Sequence, residues 1–556
     1  MPGGLLNIVA YGNQNVYLNG NPSKTFFKTT YKKYTNFGLQ KFRLDFDGQR
    51  SLRLSESSKF TFRMKRYAEL LLDTYLVVQL PTIWSPIYPP QDCSGNWAPY
   101  EFKWIDNLGT QMIEEVEIAV GGQTLNRYSG AYLLAMIQRD FTTAKKALYD
   151  NMSGNVAELN DPGNVGPRVN AYPNAYHTDN PVGPEPSIRA RKLYIPINFW
   201  FTLAAKMAFP LVALQYNELE INITLRPIQE LIVIRDVADQ QNNYPYIQPN
   251  FNEPLQQFYR FLQPPPDISL NTVSSYQDKR TNWNADVHLV STYGFLSEEE
   301  SKVFAAREQK YLFKSIYDWK FFNVTGSQRV KMENTMGMVS SWMMTFQRND
   351  INLRNEWSNY TNWPYNYLPQ EVDFADPSGN WVLDCNAVTQ AGIGPGHNPS
   401  DGKHTGYFTT GDFNPQNQKD ILLQMGILLD GKYRENVLDA GVYNYIEKYV
   451  RTSGNAPDGL YNYSFAIHND PFDFQPSGAM NMSKFRDIQL EFTTYSPPLD
   501  EEAQFYTICD PSTNEIIGVN KPNWRLYDYN YNMTVFEERY NVITFVGGNC
   551  GLMYAR

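Results

Sequence analysis

The segment with the clearest chemical pattern runs from Gly426 to Lys432 and reads GILLDGK. Two glycines followed by a lysine at this spacing match the first part of a phosphate-binding loop, in which backbone N–H groups hold phosphates. The next residue is Tyr433, where that loop needs a serine or threonine to bind Mg²⁺. Because Ile427 to Leu429 are also typical strand residues, the segment does not predict a nucleotide site.

Histidine, the usual general base at neutral pH, is scarce, and no histidine lies beside a nucleophile in a recognisable local pattern. His397 and His404 share a glycine-rich loop with Asp401, but their spacing matches no compact metal site. We interpret them as incidental residues of a solvated loop. The histidines of the chain are His177, His288, His397, His404 and His468.

Adjacent carboxylates would suit a glycosidase if two of them faced one sugar bond. Neighbouring acids are more typical of a surface segment, and we interpret these pairs in that way. Glu298 to Glu300 instead open a predicted helix that continues to Lys310, because acids stabilise a helix N-terminus. We therefore predict no catalytic, cofactor-binding or metal-binding residue. The pairs are Glu114-Glu115, Asp500-Glu501-Glu502 and Glu537-Glu538.

Cysteine and asparagine patterns add no further site. Cys93, Cys385, Cys509 and Cys550 are far apart and form no CxxC pair, so we expect neither zinc nor a disulfide framework, and a reducing compartment is favoured. Asn-x-Ser/Thr sequences arise by chance in an asparagine-rich chain, and the amino terminus does not resemble a signal peptide. They begin at Asn323, Asn359, Asn462, Asn481 and Asn532.

The composition of the 556 residues indicates β-sheets joined by many turns. Aromatic residues make up 15% and suit half-buried strands, while 35 Gly and 35 Pro supply turn dihedrals. The formal net charge of −10 offers no electrostatic reason to bind DNA, so direct genome binding is not expected. No segment approaches the eighteen or so apolar residues of a membrane span.

Alternating apolar residues predict most strands of the first half of the chain, and the continuous apolar run from Leu70 to Leu80, ended by Pro81, predicts a strand that is covered on both faces. Gly121 and Gly122 predict a tight hairpin turn. The residues Leu133, Ile137, Phe141, Ala144 and Leu148 follow it at steps of three and four, which predicts one helix beside the sheet. The predicted strands lie at Phe42 to Phe46, Phe60 to Met64, Leu70 to Leu80, Leu193 to Phe201 and Leu219 to Pro227.

The second half repeats this order of parts. Asp430-Gly431 predicts a second hairpin turn, and strands are predicted at Tyr461 to Ile467 and Ile488 to Tyr495. Two similar β units in tandem explain the order, with a stretch rich in Asn, Gln and Pro between them. A helical pattern again follows the turn, and its residues are Leu438, Val442, Tyr445, Ile446 and Tyr449.

Five segments together resemble the major capsid proteins of nucleocytoplasmic large DNA viruses, in the order that this family has. The connector from Arg235 to Asp267 further resembles the mimivirus-like branch. The five segments are GGLLNIVAYGNQNVYLNGNPSKTFFKTTYKKYTNF from Gly3, FPLVALQYNELEINITLRPIQEL from Phe209, HLVSTYGFLSEEESKVFAAREQKYLF from His288, FQPSGAMNMSKFRDIQLEF from Phe474 and YNVITFVGGNCGLMYAR from Tyr540.

The resemblance implies an all-β fold of two tandem eight-stranded antiparallel jelly rolls, a double jelly roll with short helices and long loops. It implies an N-terminal arm at 1–24, a first jelly roll at 25–230, a connector at 231–285 and a second jelly roll at 286–556. The strand and helix after His288 are thereby assigned to the second jelly roll. The long loops are expected on the outer surface or against neighbouring subunits.

The function implied is structural and not enzymatic. The chain would form a homotrimer with a pseudo-hexameric outline, a capsomer that tiles an icosahedral virus shell over an internal membrane. Its partners would be neighbouring capsomers, minor capsid and penton proteins and, on the inner side, the membrane. Assembly would take place in the host cytoplasm at viral factories, and no cofactor is implied.

Two alternatives share the fold. Exposed aromatic residues can stack on sugars, so a jelly-roll carbohydrate-binding protein or glycosidase is one, and a minor capsid protein or scaffold is the other. The segment KTFFKTTYKKY, from Lys24 to Tyr34, mixes lysines with aromatic residues as some nucleic-acid-binding segments do. We interpret it as an interface segment with extended lysines, and contact with an acidic neighbour or an anionic membrane surface stays open as an alternative.

Overall fold

The computed structural model shows two β units that follow one another along the chain. His177, His397, His404, Asp401, Cys93, Cys385, Glu501 and Glu502 lie outside the residues that the structure describes. The description covers the whole chain except residues 1, 49–50, 89–97, 170, 174, 176–184, 237–243, 266–275, 334, 367–373, 376–380, 383–417, 501–505, 514, 521–525 and 555–556.

Two antiparallel sheets form the first unit. One has the order β1-β14-β3, with β9 and β10 both pairing with β3, and the other has the order β2-β11-β7-β8. The strands are β1 Phe37–Leu44, β2 Ser58–Arg63, β3 Leu70–Gln79, β4 Ile87–Tyr88, β5 Ala98–Pro99, β6 Phe102–Trp104, β7 Ile113–Val120, β8 Gln123–Ser129, β9 Lys192–Pro196, β10 Phe209–Pro210, β11 Leu219–Leu225, β12 Ile232–Arg235, β13 Tyr246–Ile247 and β14 His288–Leu296.

The second unit repeats both sheets with the same pairing order. One sheet runs β15-β27-β17, with β22 and β23 on β17, and the other runs β16-β24-β20-β21. The strands are β15 Gln309–Val324, β16 Ser327–Lys331, β17 Met338–Arg348, β18 Phe374–Ala375, β19 Trp381–Val382, β20 Leu422–Leu429, β21 Lys432–Asp439, β22 Leu460–Ser464, β23 Met480–Asn481, β24 Ile488–Thr494, β25 Tyr506–Cys509, β26 Ile516–Asn520, β27 Tyr531–Val546 and β28 Asn549–Leu552.

Short helices lie in the arm and between the strands. The α-helices are α1 Gly3–Val9, α2 Val16–Asn19, α3 Leu108–Met112, α4 Gly130–Asp140, α5 Thr143–Ser153, α6 Ala157–Asn160, α7 Trp200–Leu203, α8 Glu298–Ala306 and α9 Glu447–Arg451. A π-helical turn spans Val442–Ile446 and leads into α9. The 3-10 turns are Asn13–Asn15, Pro162–Asn164, Ala205–Met207, Leu211–Ala213, Ile228–Glu230, Phe258–Phe261, Ile351–Leu353 and Met482–Lys484.

The predicted double jelly roll is confirmed, and its alternating strands bury the expected faces. β11 and β24 both alternate strictly between buried and partly exposed residues. Their buried side chains fill the space between the two sheets of each unit, which is where apolar burial stabilises a sandwich. The two units therefore share one pattern of pairing although their residues differ.

Strand β14 belongs to the first sheet, and this differs from the sequence assignment. It pairs with β1 on one side and with β3 on the other, so it closes the first unit as β27 closes the second. The expected second jelly roll began at residue 286 and included this strand. Sequence alternation locates a strand but does not identify the strands it pairs with, which explains the difference.

Both predicted hairpin turns form, with positive φ at all four turn residues. The angles are +57° and +82° at Gly121 and Gly122, and +48° and +76° at Asp430 and Gly431. Positive φ at both central residues gives the turn a twist that matches two antiparallel strands. The turns therefore join β7 to β8 and β20 to β21 at equivalent places in the two units.

The predicted helix after the first hairpin is two helices. α4 ends at Asp140, and the hydroxyl of Thr142 accepts a hydrogen bond from the Lys145 backbone N–H at the start of α5. A threonine N-cap begins a new helix, so the apolar spacing continues across a break. Leu148, which the pattern placed on the buried face, is exposed.

Candidate functional site

The glycine-lysine segment forms a hairpin and not a phosphate cradle. Gly426 to Leu429 lie in β20, and Ile427, Leu428 and Leu429 are buried. Asp430 and Gly431 make the turn, after which Lys432 begins β21. The peptide groups of β20 are paired with β21 and β24, so they are not directed at a ligand.

The described histidines lie apart in strand and loop positions. His288 is buried at the start of β14, where its Nδ1 lies 2.7 Å from the carbonyl oxygen of Asp286. His468 Nε2 lies 3.6 Å from Asp473 Oδ2 in a loop. Across the described ranges, no group of three His, Cys, Asp or Glu side chains could hold a metal ion.

The acidic, asparagine and cysteine residues considered in the sequence have separate structural positions. The Ser297 hydroxyl accepts a hydrogen bond from the Glu300 N–H, so the three glutamates form the first turn of α8 as predicted. That helix ends at Ala306, and β15 begins before Lys310. Asn359 and Asn462 are fully buried, which leaves no room for an attached sugar. Cys509 and Cys550 are free thiols.

Glu537 and Glu538 are buried inside the molecule, contrary to the surface position expected for paired acids. Both lie in the middle of β27, which has β15 and β17 on its two sides. The Trp342 indole N–H donates to Glu537 Oε2 at 2.8 Å, and Arg539 forms an ion pair with the same carboxylate. A strand that is covered on both faces can bury a charge only when partners satisfy it.

Glu538 is the centre of a buried ionic cluster that joins the two units. The Arg139 guanidinium, in α4 of the first unit, donates to Glu538 Oε1 at 2.9 Å and to Asp140 Oδ2 at 2.7 Å. Lys314 Nζ and the Ser341 hydroxyl donate to Glu538 Oε2 at 3.0 and 2.8 Å. Each oxygen of this carboxylate therefore accepts a hydrogen bond from a charged side chain, Oε1 from Arg139 and Oε2 from Lys314.

The Tyr132 hydroxyl completes the cluster by donating to Glu538 Oε1 at 2.9 Å. Burial alone would raise the pKa of Glu538, but the Arg139 and Lys314 charges lower it well below its usual value. Burial raises the pKa of Asp140 to about 6, against the opposing effect of Arg139. Glu538 is thus held ionised in the interior, which fixes the position of α4 on the second unit.

Apolar and polar contacts extend the same interface on either side of the cluster. The Trp200 and Phe313 rings lie 4.7 Å apart, and the Phe209 and Phe545 rings 5.1 Å apart. The Trp357 indole N–H donates to the carbonyl oxygen of Glu230 at 2.8 Å. Residues of both units accordingly belong to one continuous core cluster, so the two jelly rolls pack against each other through a shared apolar interior.

Glu356 is expected to make the stability of this interface depend on pH. Burial and the nearby Asp106 charge raise the pKa of Glu356 to about 8 from an ordinary value of 4.5. A carboxyl with a raised folded-state pKa contributes stability below its unfolded pKa and loses it as pH rises through the folded one. We expect the free energy of unfolding to fall between about pH 4.5 and 8, by at most about 1.4 kcal/mol per pH unit from this group.

The variant Glu356→Gln should remove this slope, because its neutral amide resembles the protonated acid. Urea midpoints measured at pH 5 and pH 8 would show it. Glu56→Gln is the matched control, since Glu56 is an exposed partner of Arg53. Equal changes between the two pH values in wild type and in both variants would contradict the assignment.

The described part of the N-terminal arm, residues 2–24, is largely exposed. α1 and α2, which the structure describes completely, contain no buried residue. The side chains of Phe26 and Phe27 in KTFFKTTYKKY are almost wholly exposed. No helix in the described part of the chain has the length and apolar character needed to cross a membrane. The arm and the adjoining segment KTFFKTTYKKY therefore offer apolar and cationic groups that the rest of the chain does not cover.

A second exposed apolar surface follows the second hairpin and is here called the outer helix face. It consists of Tyr445, Ile446, Tyr449 and Val450, on the π-turn and α9. Tyr445, Ile446 and Tyr449 belong to the helical pattern of the sequence, and Tyr449 is 90% exposed. In the first unit α4 occupies the corresponding place and is buried against the second unit.

Sequence reasoning missed Arg139, Lys314 and Tyr132 as members of a site. A signal was present, since the acids of β27 lie within a strand whose flanking residues are apolar on both faces. An arginine next to an aspartate in an amphipathic helix is a second signal. Neither signal names the partner, because Arg139 and Glu538 are 399 residues apart.

Comparison with known proteins places both units in one family. Residues 25–278 match the family model described as major capsid protein N-terminus, and residues 300–551 match the model described as large eukaryotic DNA virus major capsid protein. The two matched regions together cover most of the chain, and each lies within one of the two units.

Relatives and solved structures agree with this assignment. The chain is 25% identical to the major capsid protein of Phaeocystis pouchetii virus over 602 residues, with 100% of both chains covered. It is 34% identical to that of Chrysochromulina ericina virus over 255 residues, or 42% of each chain. The solved PBCV-1 virus capsid has a similar fold, with a TM-score of 0.58 at 18% identity over 96% of this chain and 100% of that one. The chain belongs to the major capsid protein family of large eukaryotic DNA viruses, and it is a structural protein of the virion capsid.

Proposed function

We propose that three copies of the chain form a ring of six jelly rolls, and that these capsomers tile an icosahedral shell over an internal membrane. The observation that carries the proposal is the unequal covering of two equivalent helices. α4 of the first unit is buried against the second unit, whereas the outer helix face is exposed. The helix of the second unit thus leaves exposed an apolar face, whereas the equivalent helix of the first unit is covered by the second unit of the same chain.

An interface of this kind is head-to-tail. Such contacts extend from copy to copy until the rotation closes a ring. Two similar units per chain make three chains equivalent to six units, which would produce the pseudo-hexameric outline. Because a shell contains many capsomers, each contact between neighbours can be weak and the assembly still stable.

The N-terminal arm supports the inner side of this arrangement. Its exposed apolar residues would contact minor capsid proteins or the internal membrane, and the lysines of the adjoining segment KTFFKTTYKKY would favour an anionic surface. Penton proteins and neighbouring capsomers would contact other faces of the ring. Genome contact is not part of the proposal, since the formal net charge of the chain is −10.

The role that we propose is not enzymatic. The buried acids of the described residues form ion pairs or hydrogen bonds with structural partners, as Glu538 does with Arg139 and Lys314.

We also propose new unit boundaries: the pairing of β14 favours a first unit that ends near Leu296 and a second unit that begins with α8. The connector then lies within the first unit.

The mass of the purified soluble protein tests the ring. Light scattering is expected to give three times the chain mass of 64.2 kDa, and cryo-electron microscopy of the same peak a pseudo-hexagonal outline. A stable monomer at micromolar concentration, with neither the mass nor the outline, would refute the trimer. The fold and the family would be unaffected by that result.

A further inference from the structure

Helix α4 packs on a sheet of the second unit, and the first unit has an equivalent sheet. In the second unit that surface is formed by β15, β27 and β17, and in the first unit the equivalent strands are β1, β14 and β3. The equivalence extends to a register shift, which falls at Ser291/Tyr293 between β14 and β3 and at Val339/Ser341 between β17 and β27. The two receiving surfaces can therefore be compared strand by strand.

A similar polar cluster lies at the register shift in both units. In the second unit the Ser341 hydroxyl donates to Glu538 at 2.8 Å, and Lys314 lies 3.0 Å away. In the first unit the Thr292 hydroxyl donates to Asp73 Oδ2 at 2.9 Å, and Lys41 Nζ lies 3.9 Å from the same oxygen. Each cluster consists of a hydroxyl, a carboxylate and a lysine on three adjacent strands.

The two clusters differ in covering. The Glu538 side chain is 2% exposed because Arg139 and Tyr132 of α4 lie over it. The side chains of Asp73 and Lys41 are 33% and 64% exposed. Leu39, which precedes Lys41 by two residues in β1, is also exposed. In the first unit the carboxylate of Asp73 is thus partly exposed beside the exposed Leu39, whereas in the second unit the carboxylate of Glu538 is covered by α4.

We propose that the outer helix face of one copy docks on the Lys41, Asp73 and Thr292 cluster of the next copy. The tyrosine hydroxyls of the outer helix face supply the donor, as Tyr132 does for Glu538, and Ile446 and Val450 cover Leu39. The π-turn adds a residue to the helix of the second unit. The outer helix face therefore corresponds to the buried face of α4 as a surface, and its residues do not correspond one by one. The inference rests on the proposed ring and identifies the two surfaces that form it.

The variant Tyr449→Asp tests the contact, because it removes aromatic area and brings a second carboxylate toward Asp73. We expect the dissociation constant of the trimer, measured by sedimentation or light scattering across a dilution series, to rise at least about thirtyfold. Folding should be unaffected, since the side chain is exposed. Tyr17→Asp in the arm is the matched control, with the same substitution at a residue of similar exposure.

A second variant restores the charge balance. Asp73→Lys combined with Tyr449→Asp should recover most of the association, whereas Asp73→Lys alone should weaken it. If Tyr449→Asp and Tyr17→Asp both leave the wild-type dissociation constant unchanged, the docking inference is overturned while the ring remains. If the wild-type protein is itself monomeric, the ring is overturned and this inference with it.

Discussion

Replacing Arg139 by methionine is expected to lower the free energy of unfolding by roughly 3–5 kcal/mol, because removing one partner leaves buried charges uncompensated. Glu538 would keep Lys314 and Ser341, but Asp140 would lose the guanidinium that donates to both of its oxygens. Urea unfolding followed by tryptophan fluorescence measures the change. Addition of Glu538→Gln to Arg139→Met should recover part of the loss, since it removes a charge from the interior.

Arg53→Met is the matched control, because Arg53 and Glu56 form an ion pair in which both side chains are mostly exposed. An exposed pair contributes about 0–1 kcal/mol, so this variant should unfold almost as the wild type does. Similar midpoints for Arg139→Met and Arg53→Met would show that the buried cluster does not stabilise the contact between the two units.

Deleting Met1 to Lys24 is expected to leave a folded trimer that forms no normal shells. The arm helices bury none of their residues in this chain, and the first strand begins only at Phe37, so folding should not require the deleted part. Shell formation should require it if the arm contacts the inner components of the capsid. Electron microscopy of particles from infected cells carrying the truncated gene measures the effect.

Two full-length variants separate the apolar side chains from the length of the arm. Serine at Leu5, Leu6, Ile8 and Val9 should reproduce the deletion, whereas serine at Asn7, Asn13 and Gln14 should leave particles normal. Normal particles from the truncated chain would refute an assembly role for the arm. Failure of the truncated chain to form trimers would instead place the arm within the ring contact.

Local patterns in the sequence predicted the local structure well. Alternation at Leu219–Leu225 and Ile488–Thr494 identified two strands, and the glycine and aspartate turns identified two hairpins. These features depend on interactions within a few residues, where dihedral preferences and side-chain periodicity decide the outcome. Family resemblance extended the prediction to the double jelly roll.

Pairings between distant residues could not be predicted in this way. The pairing of β14 with β1 and β3 was not anticipated, and Glu537-Glu538 was interpreted as a surface pair, because both depend on what lies across the sheet. The helical pattern from Leu438 to Tyr449 likewise gave no indication that Tyr445, Ile446 and Tyr449 are exposed. A sequence pattern shows that one face of a helix is apolar. It does not show whether that face packs against the same chain or against another copy of the chain.

The closing position of β14 has a consequence for synthesis in the cell. β1 pairs with β14, and the paired residues Lys41 and Thr292 are 251 residues apart. At a translation rate of about 5–20 residues per second, β1 waits on the order of 10–50 s for its partner. During that interval the neighbouring edges of β1 and β3 are open, and an unpaired strand edge promotes aggregation. High-level production of this protein should therefore depend on chaperone capacity during elongation, and slower growth at low temperature should raise the soluble yield.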